Sequence, residues 1–236
     1  MTKTLPLVAI VTLLLAGCGG DERTARTTTT TGAPLTVVAY FYKGDRLAPV
    51  AVRVPRTGGV ANAALQALLD GPPEGYTTAF PQGLEARVTE VGDDGKATVD
   101  TSARLERRAE AQLVYTLTRV PGVTAVEGAG ARARYEEFVP PILVESPLPE
   151  ARVSTPVQVR GTASVFEATL VVELVQNGTV VVKKTVTAAE GAPYRGAFDA
   201  ALPGGDAGPA TIVAFAPNAA GGPPQHRVDV PIRITP

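Results

Sequence analysis

The side chains that could do chemistry are few and scattered. His226 is the only histidine and stands in GGPPQHRV near the C-terminus. A Ser-His-Asp triad needs histidine as its proton shuttle. No partner for His226 can be picked out of the sequence, so it reads as an exposed loop residue. A zinc site needs three or four His, Cys or carboxylate ligands, and one histidine with one cysteine, Cys18, is too small a supply. Carboxylates are more plentiful. Asp93-Asp94-Gly95 lacks the further ligands of a calcium loop and is sufficiently explained as a hairpin turn. Glu136, Glu137 and Glu145 lie near one another in the chain and could supply a general-acid pair, although a solvated linker explains them better. The pairs Gly58-Gly59 and Gly204-Gly205 come without the lysine of a phosphate loop. The sequence therefore nominates no catalytic residue, no metal ligand and no cofactor.

Bulk composition narrows the classes further. The 236 residues carry 22 Lys and Arg against 23 Asp and Glu, a net charge of -1. Nucleic-acid binding needs a dense basic footprint, so no nucleic-acid partner is expected. The chain is 44% apolar with 24 glycines and 21 prolines, which describes globular, turn-rich domains. One cysteine excludes an intramolecular disulfide.

Cys18 has a better explanation than catalysis. Lys3 is followed by an apolar run over 5–16, shorter than the roughly 20 residues that cross a bilayer but suited to the core of a secretory signal peptide. The run ends in LAGC, 15–18, which resembles the bacterial lipobox. The resemblance implies a signal peptide over 1–17, cleavage before Cys18 and diacylglyceryl attachment to its thiol. Two or more acyl chains hold a protein to a membrane. The expected location is thus the extracytoplasmic face of a bacterial cell membrane, with the membrane as partner through the lipid. Residues 18–34, with five consecutive threonines, read as a tether able to reach about 50 Å when extended.

The elements that would position any site begin at residue 35. TVVAYFYK (36–43) and LAPVAVRVP (47–55) read as strands around a GDR turn. Ala61, Ala64, Leu65 and Leu68 share a helical face that Thr57 can cap and Gly71 with Pro72 and Pro73 can stop. A hairpin over 84–91 and 96–100 follows. A second helix is expected over about 103–120, capped by Thr101 or Ser102, with Leu105, Ala109, Leu113 and Leu117 as its apolar stripe. TAVEG reads as a closing strand. The pattern predicts an α+β domain over 35–138, a sheet with two helices on one face.

Within it, ALQALLDGP, FPQG, ATVDTS and AQLVYTLTRVPGV occur in one order and resemble the GerMN domain of spore-formation and germination proteins and of other bacterial lipoproteins. The resemblance implies an extracytoplasmic α/β module related to ring-building domains of secretion machinery, with no established catalysis.

From 140 to 236 the pattern is β throughout, with seven strands expected at 142–146, 156–164, 169–176, 179–188, 194–202, 211–217 and 227–234. Asn177-Gly178 is a strong hairpin turn. Pro231 removes a ladder donor and predicts an edge position for the last strand. The expected fold is an all-β immunoglobulin-like sandwich. ESPLPEARVSTPVQVRGTASVFEATL and YRGAF resemble the immunoglobulin-like domain that accompanies GerMN in spore-germination-associated proteins. Where many such domains carry a cysteine pair, this chain has Glu190 and Tyr194, so that staple is absent.

Taken together, these features lead to a membrane-anchored, non-enzymatic module that contacts a protein or the cell wall, linked to sporulation or germination through its domains. A surface solute- or glycan-binding lipoprotein is the second reading and a wall hydrolase the third. The second requires an aromatic-lined cleft, and the third a pair of carboxylates converging in one.

Overall fold

The computed structural model describes residues 33–56, 58–218 and 220–236. Cys18, the leader expected over 1–17, most of the expected tether and Thr57, the expected cap, lie outside the described residues. The described residues form one compact unit containing two main hydrophobic cores.

In the first part, β1 (Leu35–Lys43) and β2 (Arg46–Val54) form an antiparallel hairpin. Pro49 is tolerated because it stands opposite Tyr40, whose backbone groups point away from β2. Helix α1 (Gly59–Leu69) buries Ala63, Ala64, Leu65, Ala67 and Leu68. Its N-cap is Gly58, in the left-handed region at φ 64° and with no side-chain cap bond. Strands β3 (Ala86–Val91) and β4 (Lys96–Thr101) pair antiparallel, and β5 (Ala125–Val126) joins β4 in parallel.

Helix α2 spans Arg107–Leu117 with Glu106 at its N-cap, four residues later than expected. Neither Thr101 nor Ser102 caps it. Strand β4 runs on through Thr101, and the Ser102 hydroxyl accepts from Glu85 N–H at 3.0 Å while Ser102 N–H donates to the Glu85 carbonyl. The apolar stripe is also wider than its spacing implied: every residue from Ala111 to Leu117 is buried. Both helices pack on β1.

Two polar members of α2 hold the edge of β1 that β2 leaves open. Gln112 Nε2 donates to the Tyr40 carbonyl at 3.0 Å, and the Thr116 hydroxyl accepts from Tyr40 N–H at 2.9 Å. Gln112 Oε1 also accepts from Ala79 N–H at 2.6 Å. A buried backbone group left without a partner costs as much as a lost hydrogen bond, so these side chains stand in for a neighbouring strand.

The second part is a sandwich of two sheets. Strands β6 (Ile142–Ser146), β7 (Ala151–Val153), β8 (Val157–Ala163), β9 (Thr169–Gln176), β10 (Thr179–Thr187), β11 (Gly196–Leu202), β12 (Gly208–Ala216) and β13 (Gln225–Ile234) build it. One sheet has the order β10-β9-β12-β13-β7 and the other β11-β8-β6. Inward residues alternate along each strand, as in Leu170, Val172 and Leu174 of β9. The β9–β10 turn has Asn177 and Gly178 at φ 50° and 76°, as a type I′ hairpin requires.

Strand β13 is not the edge that Pro231 predicted. The short strand β7 pairs with it in parallel, Ile232 opposite Ala151. The Pro231 carbonyl accepts from Glu150 N–H at 2.7 Å. The polar side of Pro231 therefore faces β7, at the very start of a three-residue ladder where one missing donor matters least.

Candidate functional site

Strand β6 is shared by the two cores, and the period of two explains how. Ile142 and Val144 face the sandwich core, whereas Leu143 packs into the core of the first part. Val144 pairs with Gly161 and Ser146 with the next residue back, Arg160. Glu145 is thus the extra residue of a β-bulge, left out of the ladder. Two residues on from Leu143, it shares the side of the strand that faces the first part.

There Glu145 Oε1 accepts from Tyr40 Oη at 2.5 Å and from Arg132 Nη1 at 2.7 Å, with Arg119 Nη1 at 3.9 Å. Arg132 also donates Nε to the Thr118 hydroxyl at 2.6 Å and Nη2 to the Tyr115 carbonyl at 3.0 Å. Its guanidinium lies 4.7 Å from the Tyr115 ring centre and 5.5 Å from that of Tyr40, within cation–π range. The two rings are 5.3 Å apart and tilted by 58°. Further along the junction, Arg195 Nη2 donates to the Pro140 carbonyl at 2.9 Å and Nη1 to Thr162 at 3.3 Å.

The electrostatics follow from burial and pairing. Burial alone would raise the Glu145 carboxyl, but Arg132, the hydrogen bonds from Tyr40 and Arg132, and Arg119 hold it below the ordinary value. Burial raises the Tyr40 hydroxyl, and the facing Glu145 raises it further. Tyr115 is pushed up to about 12, chiefly by burial. Burial pushes the Arg195 guanidinium below its usual range. At neutral pH the group is an ionised carboxylate, arginine cations and neutral phenols. A general acid needs a raised carboxyl, and Glu145 is shifted the other way.

Clefts open on both sides of this junction. One of about 270 Å³ lies between Lys43, Arg46 and Tyr76 of the first part and Ile142, Val144 and Arg227 of the second. The other, an open groove of about 830 Å³, is lined by Arg119, Glu145, Arg160, Thr162 and Asp199. Its two carboxylates both face arginines, since Asp199 Oδ2 accepts from Arg160 Nε at 2.7 Å. Tyr76 is the one aromatic lining the first cleft, and in the second the one aromatic, Phe198, is itself buried. An aromatic platform for a sugar or solute is not built in either.

The structure separates the residues that the sequence singled out. Glu145 is not part of a solvated linker: the Arg132 charge that stabilises it comes from 13 residues away and the Tyr40 hydroxyl from 105 residues away. Glu137 is exposed and accepts from Arg107 Nε at 2.8 Å, so it and Glu145 engage different partners and form no acid pair. Asp94 sits in the β3–β4 turn and meets Lys96 Nζ at 2.6 Å. His226 is exposed as expected, but it lies at the start of β13 with a left-handed φ of 57°, next to the register break with β12. Among the described residues, no three His, Cys, Asp or Glu side chains group as metal ligands would, and no helix is long and apolar enough to cross a membrane. Tyr40, Tyr115, Arg132, Arg119 and Arg195 carry the junction and were not singled out. Nor were Gln112 and Thr116, which hold the edge of β1 and stand out in the sequence as a polar pair at i, i+4 on the apolar face of the helix.

Residues 38–127 match the family described as sporulation and spore germination. Residues 141–223 match the immunoglobulin-like domain of bacterial spore germination. The tandem GerMN domains of the sporulation protein GerM from Bacillus subtilis are similar at 25% identity over 44% of this chain and 41% of that one, with a TM-score of 0.32. The chain thus spans about two fifths of the length of that relative, and at such a score the likeness carries no weight for the fold. No curated protein matches the chain.

Proposed function

We propose that this chain, which carries a sporulation and spore germination domain followed by an immunoglobulin-like domain of bacterial spore germination, is a lipid-anchored, non-catalytic interaction protein on the extracytoplasmic face of the cell membrane. Both domains are germination-related modules and not known enzymes. The observation that carries the non-catalytic reading is Glu145. The best-placed acid at the junction is held ionised by Arg132 and hydrogen-bonded by Tyr40, which suits a clasp between domains and not a proton donor. Anchoring rests on LAGC and Cys18.

In cells fed a labelled fatty acid, the full chain takes up label and sediments with membranes. Cys18→Ala takes up none and is recovered free of the membrane, with the folded domains intact. A Cys18→Ala chain that still sediments with membranes contradicts the anchor.

A further inference from the structure

Two loops meet beside the 140–141 linker at one end of the sandwich. The first, 164–168, joins β8 to β9. The second, 188–195, joins β10 to β11. The Val165 carbonyl accepts from Ala192 N–H at 2.9 Å, Ala188 N–H donates to the Ala168 carbonyl at 2.8 Å, and Ser164 N–H reaches the Pro141 carbonyl at 2.8 Å. The approach is close enough that a Cβ on Gly191 would stand 2.7 Å from Ala168 N. Each loop holds one large aromatic out in solvent: Phe166 is 70% exposed and Tyr194 68%. They are the most exposed of the large hydrophobic residues described.

The backbone around Phe166 is strained. Glu167 and Ala168 are consecutive non-glycine residues in the left-handed region, at φ 52° and 54°. Each such residue costs about 1 kcal/mol and persists only where its surroundings fix it, typically at functional sites. Here the bonds from Ala192 and Ala188 fix it. An exposed phenylalanine presented on a strained, cross-bonded loop is pre-organised, which lowers the ordering cost of binding, and aromatics of this kind dominate protein interfaces.

The charges beside the aromatics indicate the partner. Glu167 and Glu190 are exposed, and among the described residues neither takes part in an ion pair. Membrane-inserting surfaces join aromatics to Lys or Arg so as to meet anionic headgroups. Arg195, next to Tyr194, turns inward to the Pro140 and Thr162 carbonyls, so the exposed charges of this surface have the opposite sign. We propose that Phe166, Tyr194, Glu167 and Glu190 form the docking surface for a protein segment that combines apolar side chains with Lys or Arg. The proposal rests on the interaction reading above and names its surface and partner chemistry.

A photo-crosslinking phenylalanine analogue is placed at 166 or at 194 of the full chain in intact cells, and the cross-linked peptide is sequenced. Both positions attach to one other polypeptide, through a segment with an excess of Lys and Arg. Glu167→Lys with Glu190→Lys lowers that yield about tenfold or more, because like charges then face each other across the contact. Attachment to lipid or to a second copy of this chain, attachment to a segment without excess positive charge, a yield unmoved by the charge reversal, or no attachment at all overturns the proposal. The same analogue at Val60 and at Val181, exposed elsewhere on the unit, tells two failures apart. Protein adducts there with none at 166 or 194 overturn this surface alone, whereas none at any position overturns the interaction reading as well.

Discussion

Tyr40 donates to Glu145 and lies with Tyr115 against Arg132, while Phe166 and Tyr194 have the exposed Glu167 and Glu190 in their loops and the one cation there, Arg195, turned inward to Pro140 and Thr162. The ingredients are alike, aromatic rings with carboxylates, and the two places differ in what completes them. At the junction an arginine satisfies the acid, stacks on the rings and fills the space, so the grouping is closed and structural. At the loop end both aromatics are in solvent and, among the described residues, neither acid takes part in an ion pair, so the proposed partner is what would complete the grouping. A satisfied polar cluster stabilises a fold, and a pre-organised unsatisfied one is available for binding.

The sharpest way to break this contrast is to remove the acid at the junction. Glu145→Ala leaves Arg132 part-buried without its counter-charge and Tyr40 Oη without an acceptor. It is expected to lower the unfolding free energy by about 3 kcal/mol, read by denaturant titration. Gln112→Ala strips the bonds that hold Tyr40 and Ala79, and about 2 kcal/mol is expected to be lost.

Acid should discriminate next. A carboxyl whose folded pKa lies below the ordinary 4.5 adds stability at every pH above that value and loses it as pH falls through the lower folded pKa. Stability measured downward from pH 5 should therefore drop, and Glu145→Gln should lessen the drop while starting from a lower value. Smallest of all is the effect expected at the loop end. Phe166→Ser with Tyr194→Ser should change the unfolding free energy by less than about 0.5 kcal/mol while abolishing capture of the partner from a cross-linker placed at the exposed Ala189.

How much of this could be read from the sequence depends on how local its cause is. The sandwich strands alternate, and Asn177-Gly178 marks its own turn, so β9 and β10 stand out without knowledge of their neighbours. The order of chain segments that resemble the two germination domains was equally legible. Strand β7 was not, because three residues carry too little pattern and its pairing with β13 arises from tertiary placement. Helix α2 began later than expected because Ser102 found Glu85 on the adjacent strand in place of a capping role. Glu145 was misread for a related reason. In sequence it is an acid beside prolines, and its meaning comes from Arg132 and Tyr40, neither of which leaves a mark near it in the chain. The strain at Glu167 and Ala168 is likewise set by loop-to-loop bonds.

The state of Glu145 decides between clasp and catalyst most directly. Selective labelling of glutamate side-chain carbons, with the Glu145 signal assigned by its loss in Glu145→Gln, allows that carboxyl to be titrated by NMR. A clasp held ionised by Arg132 and Tyr40 titrates below the ordinary 4.5. A midpoint raised to about 6, where a general acid works, would contradict the non-catalytic account.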